Sequence, residues 1–156
     1  MSRIGYIEDI EEWKNGFHFS YPVKVRFSET DMFGHLNNTV PFTYFELARI
    51  EFFKNIGFMQ DWVRPGNETI PVVADLQCDF LKQVYFDEPI DIFVKANKIG
   101  TSSVDIHYMG KTGKGDICFT GRGTMVQISK KTGKGVPWTD EMKKLLANPE
   151  NPAIIK

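Results

Sequence analysis

Val40-Pro41-Phe42-Thr43-Tyr44-Phe45-Glu46-Leu47-Ala48-Arg49-Ile50-Glu51-Phe52-Phe53-Lys54-Asn55-Ile56 is the one long stretch with helical spacing in the body of the chain. Phe45, Ala48, Phe52 and Ile56 recur every three or four residues and form one apolar stripe, which Phe42 and Phe53 widen. Glu46, Arg49, Glu51 and Lys54 stand elsewhere on the surface at i,i+3 spacing, so Glu46–Arg49 and Glu51–Lys54 are expected as ion pairs. Asn37, Asn38 and Thr39 all suit an N-cap, Pro41 is tolerated in a first turn, and Gly57 suits the stop.

Outward from this helix the period falls to two. Upstream, over residues 17–27, Phe17, Phe19, Tyr21, Val23, Val25 and Phe27 alternate with polar residues and with Pro22, which predicts a half-buried strand with an edge position or a bulge at Pro22. Downstream, Ile70, Val72, Ala74, Leu76, Cys78 and Phe80 alternate through a second strand. Residues 90–98, 103–109 and 117–129 give a third, fourth and fifth. In the fifth the apolar set moves from Ile117 and Phe119 to Val126 and Ile128, so a bulge or bend is expected at Gly121 and Gly123. Lys111-Thr112-Gly113-Lys114-Gly115 fits a hairpin turn. Residues 139–147 predict a short helix, acidic early and basic late. Strand, long helix and four further strands make an α+β layout, with one aromatic helix laid on an antiparallel sheet. Residues 1–16 are expected as an N-terminal extension of this single domain, and 148–156 as a loose tail. Five strands do not wrap all round a helix, so a second subunit is expected to complete the structure.

The 156 residues suffice for one domain, and 42% hydrophobic with 25% charged content excludes disorder. A net charge of −1 gives no support to a nucleic-acid binder or an anionic-membrane binder. Cys78 and Cys118 fall in apolar stretches and are expected as buried free thiols rather than a disulfide or metal pair. The first twenty residues carry Glu8, Asp9, Glu11 and Glu12 and lack a signal-peptide core, which predicts a cytoplasmic protein.

The chemistry concentrates in Asp31-Met32-Phe33-Gly34-His35-Leu36-Asn37-Asn38, at the mouth of the helix. Free N–H groups at a helix N-terminus carry a partial positive charge that can polarise a carbonyl. Gly34 allows an unusual dihedral, and Asp31 supplies a carboxylate able to activate water or attack directly. Spacing alone equally permits a turn carboxylate, a loop histidine and capping asparagines.

The run from Val25 through Asp31, Gly34, His35 and Asn37-Asn38, followed by Tyr44-Phe45-Glu46-Leu47-Ala48-Arg49, resembles the hotdog-fold acyl-CoA thioesterases of the 4-hydroxybenzoyl-CoA thioesterase type. Asp79-Phe80-Leu81-Lys82, Ile99-Gly100-Thr101-Ser102-Ser103 and the ending Thr132-Gly133-Lys134-Gly135-Val136-Pro137 are similar to it as well, so the likeness spans residues 21–146. It implies a hotdog fold, an antiparallel sheet of five or more strands around a central helix, with two subunits joining their sheets. It also implies thioester hydrolysis with Asp31 as nucleophile or general base and His35 supporting it. Backbone N–H groups around Gly34 and His35 would polarise the carbonyl, and Asn38 would fix the loop or bind substrate. Phe33, with Phe42 and Phe45, hints at an apolar or aromatic acyl pocket, and core packing explains the three equally well; Phe33 also replaces the asparagine of a related acyl carrier protein thioesterase pattern.

Glu46 is the rival carboxylate, since another hotdog branch uses an acid on the central helix. Glu29 is expected to face solvent and His107 to be an ordinary sheet residue. Lys82, Lys98, Lys111, Lys114, Lys130 and Lys131 are the candidates for CoA phosphates. No cofactor or metal is expected, CoA arriving as part of the substrate, and the chain is expected as a homodimer or homotetramer. The readings kept open beside this one are a non-catalytic acyl-CoA sensor and a hydroxyacyl dehydratase.

Overall fold

The structure, a computed structural model, describes residues 3–149. In chain order it runs α1 (Ile10–Asn15), β1 (Phe19–Lys24), a 3-10 turn (Phe27–Glu29), α2 (Val40–Asn55), α3 (Phe58–Trp62), β2 (Thr69–Phe80), β3 (Pro89–Ile99), β4 (Ser103–Thr112), β5 (Ile117–Ser129) and α4 (Asp140–Ala147). The five strands form one sheet in the order β1-β3-β4-β5-β2, every neighbouring pair antiparallel. β1 is an edge strand, which is where Pro22 can sit without costing a ladder bond.

α2 lies against one face of the sheet and makes the hotdog arrangement. Phe45, Ala48, Phe52, Phe53 and Ile56 are all buried, and they pack with Ile90, Ile92, Val94, Val104, Ile106 and Tyr108 of β3 and β4. Phe45 stacks on Tyr108 with ring centroids 4.4 Å apart and meets Phe119 edge-on. α3 adds Phe58 and Trp62 to this core, the Trp62 indole donating to the Gln127 side chain. α4 closes one end with Leu145 and Leu146, its first turn capped by the Thr139 hydroxyl.

The other face of the sheet is covered by the N-terminal segment. Ile4, Ile7, Trp13 and Phe17 pack there on Met109. Ile4, Ile7 and Trp13, in the stretch expected as an extension, are therefore part of the core. The tail expected at 148–156 lies mostly outside the described residues; Pro149 still accepts a hydrogen bond from Asn55.

Three register shifts interrupt the sheet, all elsewhere than the sequence predicts, and that of β3 against β4 leaves Asn97 as the extra residue. The register of β2 against β5 shifts at Ala74, so Ile70 and Val72 face one side of the sheet while Leu76, Cys78 and Phe80 face the other. In β5 the extra residue is Cys118, between the Gly110↔Phe119 and Lys111↔Ile117 pairs. Gly121 and Gly123 do not bend the strand. They stay in register and lack side chains because the Phe45 ring and Leu76 fill that space. Among the described residues no helix is long and apolar enough to cross a membrane.

Candidate active site

The loop before α2 is built by hydrogen bonds within itself. The 3-10 turn at Phe27–Glu29 leads into Thr30, which pairs with Leu36 across the loop neck. Inside that neck the Asp31 N–H donates to the His35 carbonyl (2.8 Å) and the Gly34 N–H to the Asp31 carbonyl (3.0 Å). Gly34 takes φ +81°, a left-handed conformation that explains a glycine there. Asp31 Oδ1 accepts from the N–H groups of Phe33 (2.9 Å) and His35 (3.1 Å). These bonds fix the carboxylate's orientation and leave Oδ2 without a hydrogen bond among the described residues.

The loop is also tied to the segment between β2 and β3. The Leu36 N–H donates to the Val84 carbonyl, and the His35 ring meets Tyr85 edge-on at 5.3 Å. Between the two segments lies a cleft of ≈ 310 Å³. Asp31, His35, Leu36 and Asn38 line one side, and Phe80, Leu81, Lys82, Gln83, Val84 and Phe119 the other. A half-buried carboxylate thus borders a cavity of mixed polar and apolar lining beside the start of a long helix.

The structure brings Asp31, His35 and Asn38 together on this cleft and keeps Phe33 and Gly34 off it. Phe33 is 74% exposed, on the outer side of the turn. The Gly34 and His35 N–H groups, expected to polarise a carbonyl, donate within the loop to the Asp31 carbonyl and to Asp31 Oδ1. At the helix start the Thr39 and Val40 N–H groups are turned back onto Asn37, and Pro41 has none. Asn38 borders the cleft, and its N–H makes no hydrogen bond among the described residues. The asparagine that organises the helix start is therefore Asn37, whose side chain also accepts from the Thr39 hydroxyl.

Glu46 is exposed and does not pair with Arg49. Arg49 turns inward instead, 6% exposed, and donates to the Tyr108 hydroxyl at 3.0 Å. Glu51–Lys54 is formed as predicted. Glu29 does not simply face solvent: its Oε1 accepts from the Tyr44 hydroxyl (2.7 Å) and the Arg26 N–H (2.9 Å). A partner fifteen residues away on the helix leaves no mark in the local pattern. Of the lysines, Lys82 borders the cleft and is held by Asp116 at 2.6 Å, an ion pair that raises the Lys82 pKa and lowers that of Asp116. Burial pushes both thiols, Cys78 and Cys118, up to about 12, so neither is a thiolate nucleophile at neutral pH.

His107 lies on the opposite face of the sheet from α2, fully buried. The Trp13 indole donates to its Nδ1 at 2.8 Å, so Nε2 carries the proton and donates to Asp105 at 2.8 Å. This is a satisfied polar network beneath the N-terminal segment, away from the cleft.

The sequence profile described as the thioesterase-like superfamily matches residues 25–146. The uncharacterized protein YsmA of Bacillus subtilis (strain 168) is 50% identical over 147 residues, covering 94% of this chain and 97% of that one. A thioesterase from Thermus thermophilus, solved in complex with coenzyme A and zinc, is 26% identical with TM-score 0.72, covering 87% of this chain and 97% of its own. The DHNA-CoA thioesterase of Staphylococcus aureus has the same fold at 22% identity and TM-score 0.72, covering 85% of this chain and 93% of that one. Among the described residues no group of three or more His, Cys, Asp or Glu side chains is placed to hold a metal ion.

Proposed function

The chain belongs to the thioesterase-like superfamily, and from that premise we propose that it hydrolyses acyl-CoA thioesters to a free acid and CoA, with Asp31 as the catalytic carboxylate. The observation that carries this reading is the state of Asp31, which borders the cleft: two loop N–H groups hold Oδ1, while Oδ2 accepts no hydrogen bond among the described residues. The coenzyme A complex of the Thermus thioesterase supports a CoA-bearing substrate.

Acting as a general base, Asp31 takes a proton from water as the water oxygen bonds to the thioester carbon. The tetrahedral intermediate then breaks its C–S bond, and the proton passes to the departing thiolate. Acting as a nucleophile, Oδ2 bonds to the same carbon and expels the thiolate, leaving an anhydride that water hydrolyses. In both routes the Asn38 N–H donates to the carbonyl oxygen as negative charge develops there. His35 and Asn38 line the substrate's path beside Asp31, while Gly34 and Phe33 shape the turn. The apolar lining, Leu36, Phe80, Leu81, Val84 and Phe119, receives the acyl group.

The same reading includes a homodimer or homotetramer. β2 is an edge strand, and Val73, Phe80 and Leu81, in it and just beyond it, are 44%, 55% and 43% exposed, an apolar edge of the kind native sheets pair or cover.

The test is free-thiol release from short, long and aromatic acyl-CoAs by the purified chain. Release from at least one class supports the proposal. Measurable binding of the same thioesters without release would replace it with a sensor.

A further inference from the structure

The loop that presents Asp31 has two limbs, and one residue touches both. Glu29, two residues before Asp31, offers its carboxylate to the Tyr44 hydroxyl (2.7 Å) and to the Arg26 N–H (2.9 Å). Its backbone carbonyl accepts from the N–H of Asn37, on the far limb, at 2.8 Å. Tyr44 is 3% exposed and belongs to α2, whose neighbouring Phe45 is wholly buried against β4 and β5. The phenol therefore joins the loop to the buried central helix.

We propose that Tyr44 and Glu29 are positioning residues, which hold the Asp31 loop against α2 and thereby set the rate of the chemical step rather than substrate affinity. The inference rests on the reading of Asp31 as the catalytic carboxylate. Neither residue lines the cleft at Asp31; both border a separate cavity of ≈ 630 Å³ beside β1. Burial and the adjacent Glu29 carboxylate both raise the Tyr44 pKa, so the phenol keeps its proton at neutral pH and the bond does not switch off. What the pair supplies is geometry, and a misplacement of about 1 Å in a reacting group can cost on the order of 10²-fold.

The experiment compares Tyr44→Phe, Glu29→Ala and Glu29→Gln in the full chain. Gln keeps the carbonyl oxygen that accepts both bonds and removes only the charge; Ala removes both. Tyr44→Phe and Glu29→Ala are expected to lower kcat about tenfold with KM held within about twofold, whereas Glu29→Gln stays within about threefold of the unaltered chain. Amide exchange read by mass spectrometry over residues 29–37 is expected to quicken in Tyr44→Phe and Glu29→Ala but not in Glu29→Gln, with the amides of β4 unchanged. A Glu29→Gln variant as impaired as Glu29→Ala would overturn the proposal, since Glu29 would then act through its charge. So would a Tyr44→Phe variant with unaltered kcat and exchange. If the unaltered chain releases no thiol from any acyl-CoA, the reading of Asp31 fails on its own. The exchange arm then still decides: faster exchange in Tyr44→Phe supports the tie, and unchanged exchange overturns it.

Discussion

The Phe45 ring occupies the space that a side chain on Gly121 would fill. A β-carbon built on Gly121 lies 2.4 Å from one ring atom of Phe45 and 2.9 Å from the backbone oxygen of Gln77. The centre of the sheet is thus hollowed to receive the helix, and Gly110 makes similar room for Phe119. Gly121→Ala is expected to destabilise the fold by about 1–3 kcal/mol, since both neighbours are packed and one is backbone. Urea denaturation measures this, and an unchanged midpoint would show that the helix sits further from β5.

The buried Arg49 has the Tyr108 hydroxyl as its hydrogen-bond partner. Removing that hydroxyl in Tyr108→Phe leaves a desolvated guanidinium short of an acceptor, at an expected cost of about 1–3 kcal/mol. Replacing both, as Arg49→Met with Tyr108→Phe, removes the unmet polar group, so the double variant is expected to lose less than the sum of the two single losses. Strict additivity in the denaturation cycle would mean that the two groups do not depend on each other.

Stability is expected to depend on His107 through pH. Burial, the largest influence, lowers its pKa, and Lys95 and Arg122 act the same way; Asp105 opposes them. Tyr6 packs edge-on against the ring, and Trp13 donates to Nδ1 only while that nitrogen is unprotonated. With the folded pKa below the unfolded value of about 6.5, the unfolded chain binds the proton more readily. The contribution of neutral His107 is therefore complete above that pH and lost as the pH falls below it toward the folded value. Unfolding midpoints of the unaltered chain and His107→Gln measured from neutral to acidic pH should converge on the acid side. Parallel curves would contradict the assignment.

Much of the fold is legible in the spacing of apolar residues. α2 lies where the period places it because its apolar stripe runs through several turns, and the four later strands follow in order. α1 and α3, of six and five residues, are not legible. Helices this short depend on tertiary contacts such as Trp13 against His107 and Trp62 against Gln127, which join residues 94 and 65 positions apart. Within β5 the change of face is visible as a conflict of periods, but the sequence does not say that its extra residue is Cys118, nor that β2 carries one at Ala74. At the candidate site the polar run itself is legible. The internal use of its N–H groups, and the ties of Glu29 to Tyr44 and Arg49 to Tyr108, are not, because local spacing carries no information about partners on other elements.

Lys82 and Asp116 offer a milder test at the cleft's rim. Both are exposed, so their ion pair at 2.6 Å is expected to matter little for folding. Lys82→Ala is expected to leave the urea midpoint where it stands in the unaltered chain. A clear loss would mean that the segment joining β2 to β3 depends on this pair.

The most direct test of the central claim is thiol release by Asp31→Asn beside the unaltered chain, on the best acyl-CoA of the panel. Asn keeps an oxygen that accepts the Phe33 and His35 N–H groups, so the loop is retained while the base or nucleophile is lost. The account predicts a fall in kcat on the order of 10²-fold or more with folding intact. Asp31→Asn turning over at the rate of the unaltered chain would contradict it and make Glu46 the next carboxylate to test.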